Sequence, residues 1–114
     1  MAMLGDKMKT TLNEEEVQTC RDLQATAYLN MAICHHMQKN WQKAIDNAEK
    51  SSKLKPTIKS YYRCGQAYKM MKNYDKAIEN FKNAVKVDVS DPNDIQTELL
   101  KCEKLNEAKE KKRV

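Results

Sequence analysis

The sequence predicts an all-α fold in which antiparallel helix pairs stack side by side as a solenoid, closed by a C-terminal helix. Three observations carry this. The 114 residues include only two Gly and two Pro, too few to punctuate a many-stranded sheet. Ala, Lys, Glu, Gln, Met and Leu, the better helix formers, are plentiful. The chain also repeats itself: residues 40–47 lie over residues 73–80 at an offset of 33, with Asn40, Lys43, Ala44, Ile45 and Asn47 recurring as Asn73, Lys76, Ala77, Ile78 and Asn80. A period of this length marks a stacked array rather than a closed bundle.

The elements follow from periodicity and punctuation. A long first helix is expected over residues 14–37, with Asn13 at its N-cap and Glu16 at the third position. Val17, Cys20, Leu23, Ala27 and Met31 or Cys34 mark its apolar stripe. The polar break Gln38-Lys39-Asn40 precedes a second helix over 41–54, which Pro56 stops. Thr57 is left to cap a third over 58–71, and Lys72-Asn73 turns tightly into a fourth over 74–87. Asp91 and Pro92 are the expected N-cap and first residue of a last helix running to about 111. Connections this short force antiparallel neighbours. Trp41 and Tyr74 open the second helix of each pair, where they cover the turn.

Composition bounds the function. The chain is 40% apolar and 32% charged, which describes a globular domain with a highly charged surface. Its net charge is +5, and residues 101–114 hold six Lys or Arg against three Glu. Such a basic end suits an acidic peptide, nucleic acid or an anionic membrane surface alike, and equally a plain solvated helix face. The apolar runs are too short for a membrane-spanning helix, and no charged-then-apolar leader opens the chain. Cys20, Cys34, Cys64 and Cys102 have neither C-x-x-C pairing nor metal-type spacing. Three of the four fall in slots that a helical pattern buries, which reads as reduced thiols and a cytoplasmic location. His35 and His36 point about 100° apart on a helix, with no third ligand near in sequence, so no metal site is expected. A Gly-rich phosphate loop, a nucleophile elbow and a concentrated acid–base pair are all missing from the sequence. Neither catalysis nor a cofactor is therefore expected.

Within the second unit, counted from Ile58, Tyr61, Cys64, Gly65 and Tyr68 take the large and small slots of a first helix. Ala77, Phe81 and Ala84 take those of a second. The first unit, counted from Ala25, reads Tyr28, Met31, Ala32, His35, Ala44, Ala48, Ser51 and Pro56. This pattern resembles the tetratricopeptide repeat, which implies a right-handed solenoid of helix pairs. His35 and Ala48 depart from it, and Val89 stands where the second unit's closing Pro is expected.

A finer likeness covers residues 13–112. The run from Thr26 to Cys34, the start Lys59-Ser60-Tyr61-Tyr62-Arg63, the long polar lead-in and the basic last helix are similar to the C-terminal tetratricopeptide domain of immunophilin co-chaperones. These are the FK506-binding proteins and large cyclophilins. The resemblance implies four regions: residues 1–12 as the remnant of a preceding repeat and loop, 13–56 as a first complete unit with an extended first helix, 57–91 as a second, and 92–114 as a basic capping helix. It also implies that a peptidyl-prolyl isomerase domain lies upstream in a parent protein.

The spacing points to a site. Asn30 and Arg63 hold the sixth slot of their units and Lys59 the second, so Lys59 and Arg63 lie one turn apart on one face. Sixth slots of successive first helices line the concave wall of a solenoid. One amide, one ammonium and one guanidinium converging there are donors in search of a carboxylate. Ile33, Gln66 and Lys69 lie near the same wall, and Met70 and Met71 can border the groove. In the family it resembles, these slots form a clamp for the acidic C-terminal peptide of heat-shock protein 90 or 70, of the Glu-Glu-Val-Asp type. By that resemblance Asn30 and Arg63 hold the terminal residue and Lys59 an acidic group.

The family's clamp also draws a Lys and an Asn from an earlier helix. Lys7 and Lys9 lie in the wrong element to supply them, so the chain is expected to be truncated at its first repeat. Three of five clamp residues then remain, and binding is expected to be weak. The alternatives are a scaffold of the same fold for an unrelated protein, or a nucleic-acid or calmodulin contact through the basic last helix; nucleic acid is the less favoured, and no membrane contact is expected. The array should also leave apolar surface around Val17, Leu23 and Met31, to be covered by the N-terminal segment or by self-association with another copy.

Overall fold

The computed structural model describes residues 13–90 and 94–112. Among them are five helices: α1 (Glu14–Met37), α2 (Trp41–Leu54), α3 (Ile58–Met70), α4 (Tyr74–Val87) and α5 (Ile95–Lys112). Each packs against the next in the chain, and α1 also touches α3. That succession is what a stack of antiparallel pairs requires, so the fold is the all-α solenoid expected.

Local chemistry sets most of the boundaries. Asn13 accepts a hydrogen bond from the Glu16 N–H at 2.8 Å and so caps α1, whose first turn carries Glu14, Glu15 and Glu16 against the positive end of the helix. Thr57 and Ser60 form a reciprocal capping box at the start of α3, in which the Ser60 N–H donates to Thr57 Oγ1 at 3.1 Å and the Thr57 N–H to Ser60 Oγ at 3.2 Å. The last helix departs from expectation: it begins at Ile95, and Asp94 before it has a positive φ of 52°. Asp91 and Pro92, expected to open it, lie outside the described residues, as does the expected remnant at 1–12.

The turns inside the two helix pairs are copies of one another. The Asn40 N–H donates to the His35 carbonyl at 2.8 Å, and the Asn73 N–H to the Tyr68 carbonyl at 2.9 Å. Lys39 and Lys72 each take φ of 62°, the left-handed conformation that ends a helix and that a residue with a Cβ adopts only at a cost of about 1–2 kcal/mol. The repeat thus extends below side chains to the hydrogen bonds of the backbone.

Two buried clusters hold the stack together. Ala32, Ala44, Ile45, Ala48, Cys64 and Ala67 lie between α1, α2 and α3. Ala77, Phe81, Ala84, Ile95 and Cys102 lie between α3, α4 and α5, flanked by Tyr61, Tyr62 and Tyr68. Fully burying Phe81 contributes about 2–3 kcal/mol. Its ring lies so close to α3 that a Cβ on Gly65 would sit 2.7 Å from Cε1 and 2.8 Å from Cδ1; only a glycine fits there.

One expectation about burial needs correcting. Cys64 and Cys102 are buried, but Cys20 and Cys34 are exposed, so two thiols rather than three are inside. The apolar stripe of α1 faces away from the packed helices: Val17, Leu23 and Met31 are 38%, 66% and 45% exposed. The helix instead buries Ala25 and Ala32, because α2 comes close enough only for small side chains. Period alone identifies a stripe but not which neighbour it meets. The exposure around Val17, Leu23 and Met31 accords with the apolar surface expected on the first helix; residues 1–12, one of its expected covers, lie outside the described residues.

Candidate functional site

The side chains singled out by spacing line neighbouring clefts along the α1 and α3 wall. Ile33 of α1 and Lys59, Tyr62 and Arg63 of α3 line one of 440 Å3. A second, of 290 Å3, shares Ile33 and Lys59 and adds Asn30, Leu29 and Thr26 of α1 together with Ser51, Lys55 and Thr57. The capping box at Thr57 fixes where α3 starts, and so sets Lys59 one turn before Arg63. Asn30, Ile33, Lys59 and Arg63 are thus brought to one continuous surface.

Asn30 and Lys59 are exposed and Arg63 is half-buried. No side-chain hydrogen bond or ion pair joins any of the three to another described residue. Two cations and an amide therefore face open space with their donors unspent, and Ile33 and Tyr62 supply an apolar floor. Donors on an apolar floor suit an anionic group carried on a partly apolar chain.

Gln66 and Lys69 face a smaller cleft of 100 Å3, with His36, Met70 and Glu98. Lys69 is held there by α5: its ammonium donates to Glu98 Oε2 at 3.0 Å, and that bond keeps it protonated to a higher pH than an ordinary lysine. Its charge is largely neutralised locally. The Gln66 amide donates to the Tyr62 hydroxyl at 2.8 Å and steadies the ring at the floor of the main cleft.

Tyr62 and Glu98 were not singled out from the sequence. Tyr62 is three residues after Lys59 and four before Gln66, so counting along the helix face would have found it. Glu98 approaches from the last helix, twenty-nine positions away from Lys69, and nothing local announces that encounter.

His36 packs edge-on against Trp41, ring centroids 4.9 Å apart. Burial and then the nearby Arg63 guanidinium push its imidazole below the ordinary pKa. It is therefore neutral at neutral pH and leaves Arg63 as the dominant charge on that stretch of wall. Its Nδ1, like that of His35, is buried without a hydrogen-bond partner. No group of three or more His, Cys, Asp or Glu that could hold a metal occurs among the described residues. Cys64, deep between the units, is pushed up to about 12, first by burial and then by Glu49 and Glu79, which leaves it an inert thiol rather than a nucleophile.

The family model for the tetratricopeptide repeat matches residues 23–90, well over half of the chain. The chain belongs to the tetratricopeptide repeat family. No curated protein sequence matches it. Its tetratricopeptide units form a protein-interaction module. No helix among the described residues is long and apolar enough to cross a membrane. The matched span ends before α5, which packs against α4 of the second tetratricopeptide unit. Part of its charge serves that packing: the Lys109 ammonium donates to the Lys72 carbonyl at 3.0 Å and lies 5.9 Å from the centre of the Tyr74 ring.

Proposed function

We propose that the cleft between α1 and α3 binds the free carboxylate at the end of an acidic peptide, of the Glu-Glu-Val-Asp type that closes heat-shock proteins 90 and 70. The observation that carries this reading is the juxtaposition of Asn30, Lys59 and Arg63, unpaired, around an apolar floor of Ile33 and Tyr62. Arg63 meets a carboxylate at two points and the Asn30 amide adds a third donor. Lys59 balances an upstream acidic side chain, and the apolar floor takes a Val side chain. Capture of a terminal carboxylate is an established mode of peptide recognition. The likeness to immunophilin co-chaperones supports the same partner and a cytoplasmic location. It makes the chain the chaperone-docking module of a protein whose isomerase domain lies elsewhere.

A calorimetric titration with the peptide Met-Glu-Glu-Val-Asp and with its C-terminal amide tests the proposal. Each charge-assisted contact contributes about 1.5–3 kcal/mol where water is excluded, and less in an open cleft. The amide should therefore bind at least tenfold more weakly than the free acid, a difference of about 1.4 kcal/mol. Arg63→Ala should erase the preference. Equal affinity for the two peptides would sink the assignment.

A further inference from the structure

The solvent face of α1 is ordered in a way that chance exposure does not require. Val17, Leu23, Met31 and Met37 are exposed on it at 38%, 66%, 45% and 77%. Cys20, Ala27 and Cys34 lie exposed between them. Counted from Ala27, these seven fall at −10, −7, −4, 0, +4, +7 and +10. The spacing reads the same in both directions. A stripe symmetric about its centre matches itself when a second copy is turned around a two-fold axis, because residue i then faces residue 54 − i. Cys20 comes opposite Cys34 and Leu23 opposite Met31, Val17 and Met37 lie level with one another at the edges of the stripe, and the small Ala27 lies at the crossing, where it lets the helices approach. Isologous two-fold contacts require this self-complementarity.

The charges agree with the same arrangement. Glu14, Glu15 and Glu16 form the first turn of α1, and the antiparallel register brings that turn level with the turn at residues 38–40 that follows α1 in the other copy. Lys39 is exposed and projects from the turn that ends α1. Each acidic end thus meets a cation, and each helix N-terminus lies beside the other's C-terminus. A parallel pairing would set the two acidic turns against one another. The stripe extends for about 30 Å along the helix, away from the Ala25 and Ala32 face that packs on the rest of the fold.

We propose that this chain pairs with a second copy of itself through α1, antiparallel and centred on Ala27. The contact buries the apolar stripe that the fold leaves uncovered.

Sedimentation and oxidative cross-linking test the pairing. The mass should rise with concentration from 13.3 kDa towards twice that value, and Ala27→Glu, which sets two carboxylates together at the axis, should hold it at the monomer. Ala27 is exposed, so this variant should keep its helical signal and melting temperature when dilute. Diamide takes up the two hydrogens lost as a pair of thiols becomes a disulfide. It should cross-link the unaltered chain between Cys20 and Cys34 of opposite copies. Cys20 and Cys34 of one chain are about 21 Å apart along the helix and cannot bridge within it. Cys20→Ser alone and Cys34→Ser alone should give no dimer, whereas a mixture of the two should give one. Cross-linking of each single variant by itself would indicate parallel or random contact and overturn the proposal. A monomer at every concentration would overturn it too; if removal of residues 1–12 then produced the dimer, that segment would be the occupant of the stripe.

Discussion

The two helix pairs share one backbone plan and fill it differently. In the first unit Ala32 and Ala48 take the slots that Gly65 and Phe81 take in the second. The first unit fills these slots with two small side chains; the second gives up one Cβ to make room for a ring. The first unit adds a different support, a buried hydrogen bond of 2.7 Å from the Ser51 hydroxyl to the Ala25 carbonyl, where the second has Ala84 and Ile58. The equivalent pair His36 and Lys69 diverges as well. His36 sits neutral beside Arg63, while Lys69 is charged and paired with Glu98 of α5. The turns enforce the common plan, and the residues between them are free to solve the packing separately. What each unit can use depends on its neighbours. The second is flanked on both sides, and its Tyr68 hydroxyl reaches back to donate to Glu49 Oε1 at 2.5 Å. In the first unit His35 holds the same slot with its Nδ1 unpartnered.

The largest effect should come from breaking the glycine–phenylalanine exchange. Phe81→Ala removes a fully buried ring and should cost about 3–5 kcal/mol in chemical denaturation. Gly65→Ala drives a methyl into that ring; overpacking of about 1–3 kcal/mol offsets a helix-propensity gain of about 1 kcal/mol. Combining the two rebuilds the alanine pair of the first unit, so the double variant should be more stable than the sum of the single losses. Strict additivity would show that Gly65 and Phe81 are not coupled.

Ser51→Ala should cost less, about 1–2 kcal/mol, by removing a buried hydroxyl bond. A loss within a few tenths of a kcal/mol would mean that the first unit does not lean on this bond.

The smallest effect concerns pH. A histidine whose folded-state pKa lies below its ordinary 6.5 favours folding in the neutral form. Its contribution is complete above that value and is lost as the pH falls through it towards the folded-state pKa. Melting temperature should therefore fall more steeply between neutrality and mild acid in the unaltered chain than in His36→Gln, and parallel curves would refute the assignment.

Much of this was legible in the residues because helix boundaries are written locally. Asn13, Thr57 and the paired turns around Lys39 and Lys72 sit next to the elements they bound, and α1, α2 and α4 fall where periodicity places them. The start of α5 is not legible in the same way: Asp91-Pro92 is a strong local signal, but the helix begins at Ile95, which is buried. The packed face of α1 is harder to read: its bulky residues form the better stripe, but a close helix–helix approach selects the small Ala25 and Ala32. At the site, Lys59 and Arg63 were legible from their spacing of four. The pairing of Lys69 was not, since its partner arrives from a helix whose docking no short pattern records.

The four thiols divide into two exposed, on α1, and two shielded, on α3 and α5. Cys20 and Cys34 should react with an alkylating reagent in the dilute, monomeric native chain. Cys64 and Cys102 must wait for their helices to separate, and Cys64 is held protonated besides. The rate at which the second pair is consumed then clocks the opening of the inner packing without unfolding the whole chain. The protein carries its own probes for learning which end of the array comes apart first.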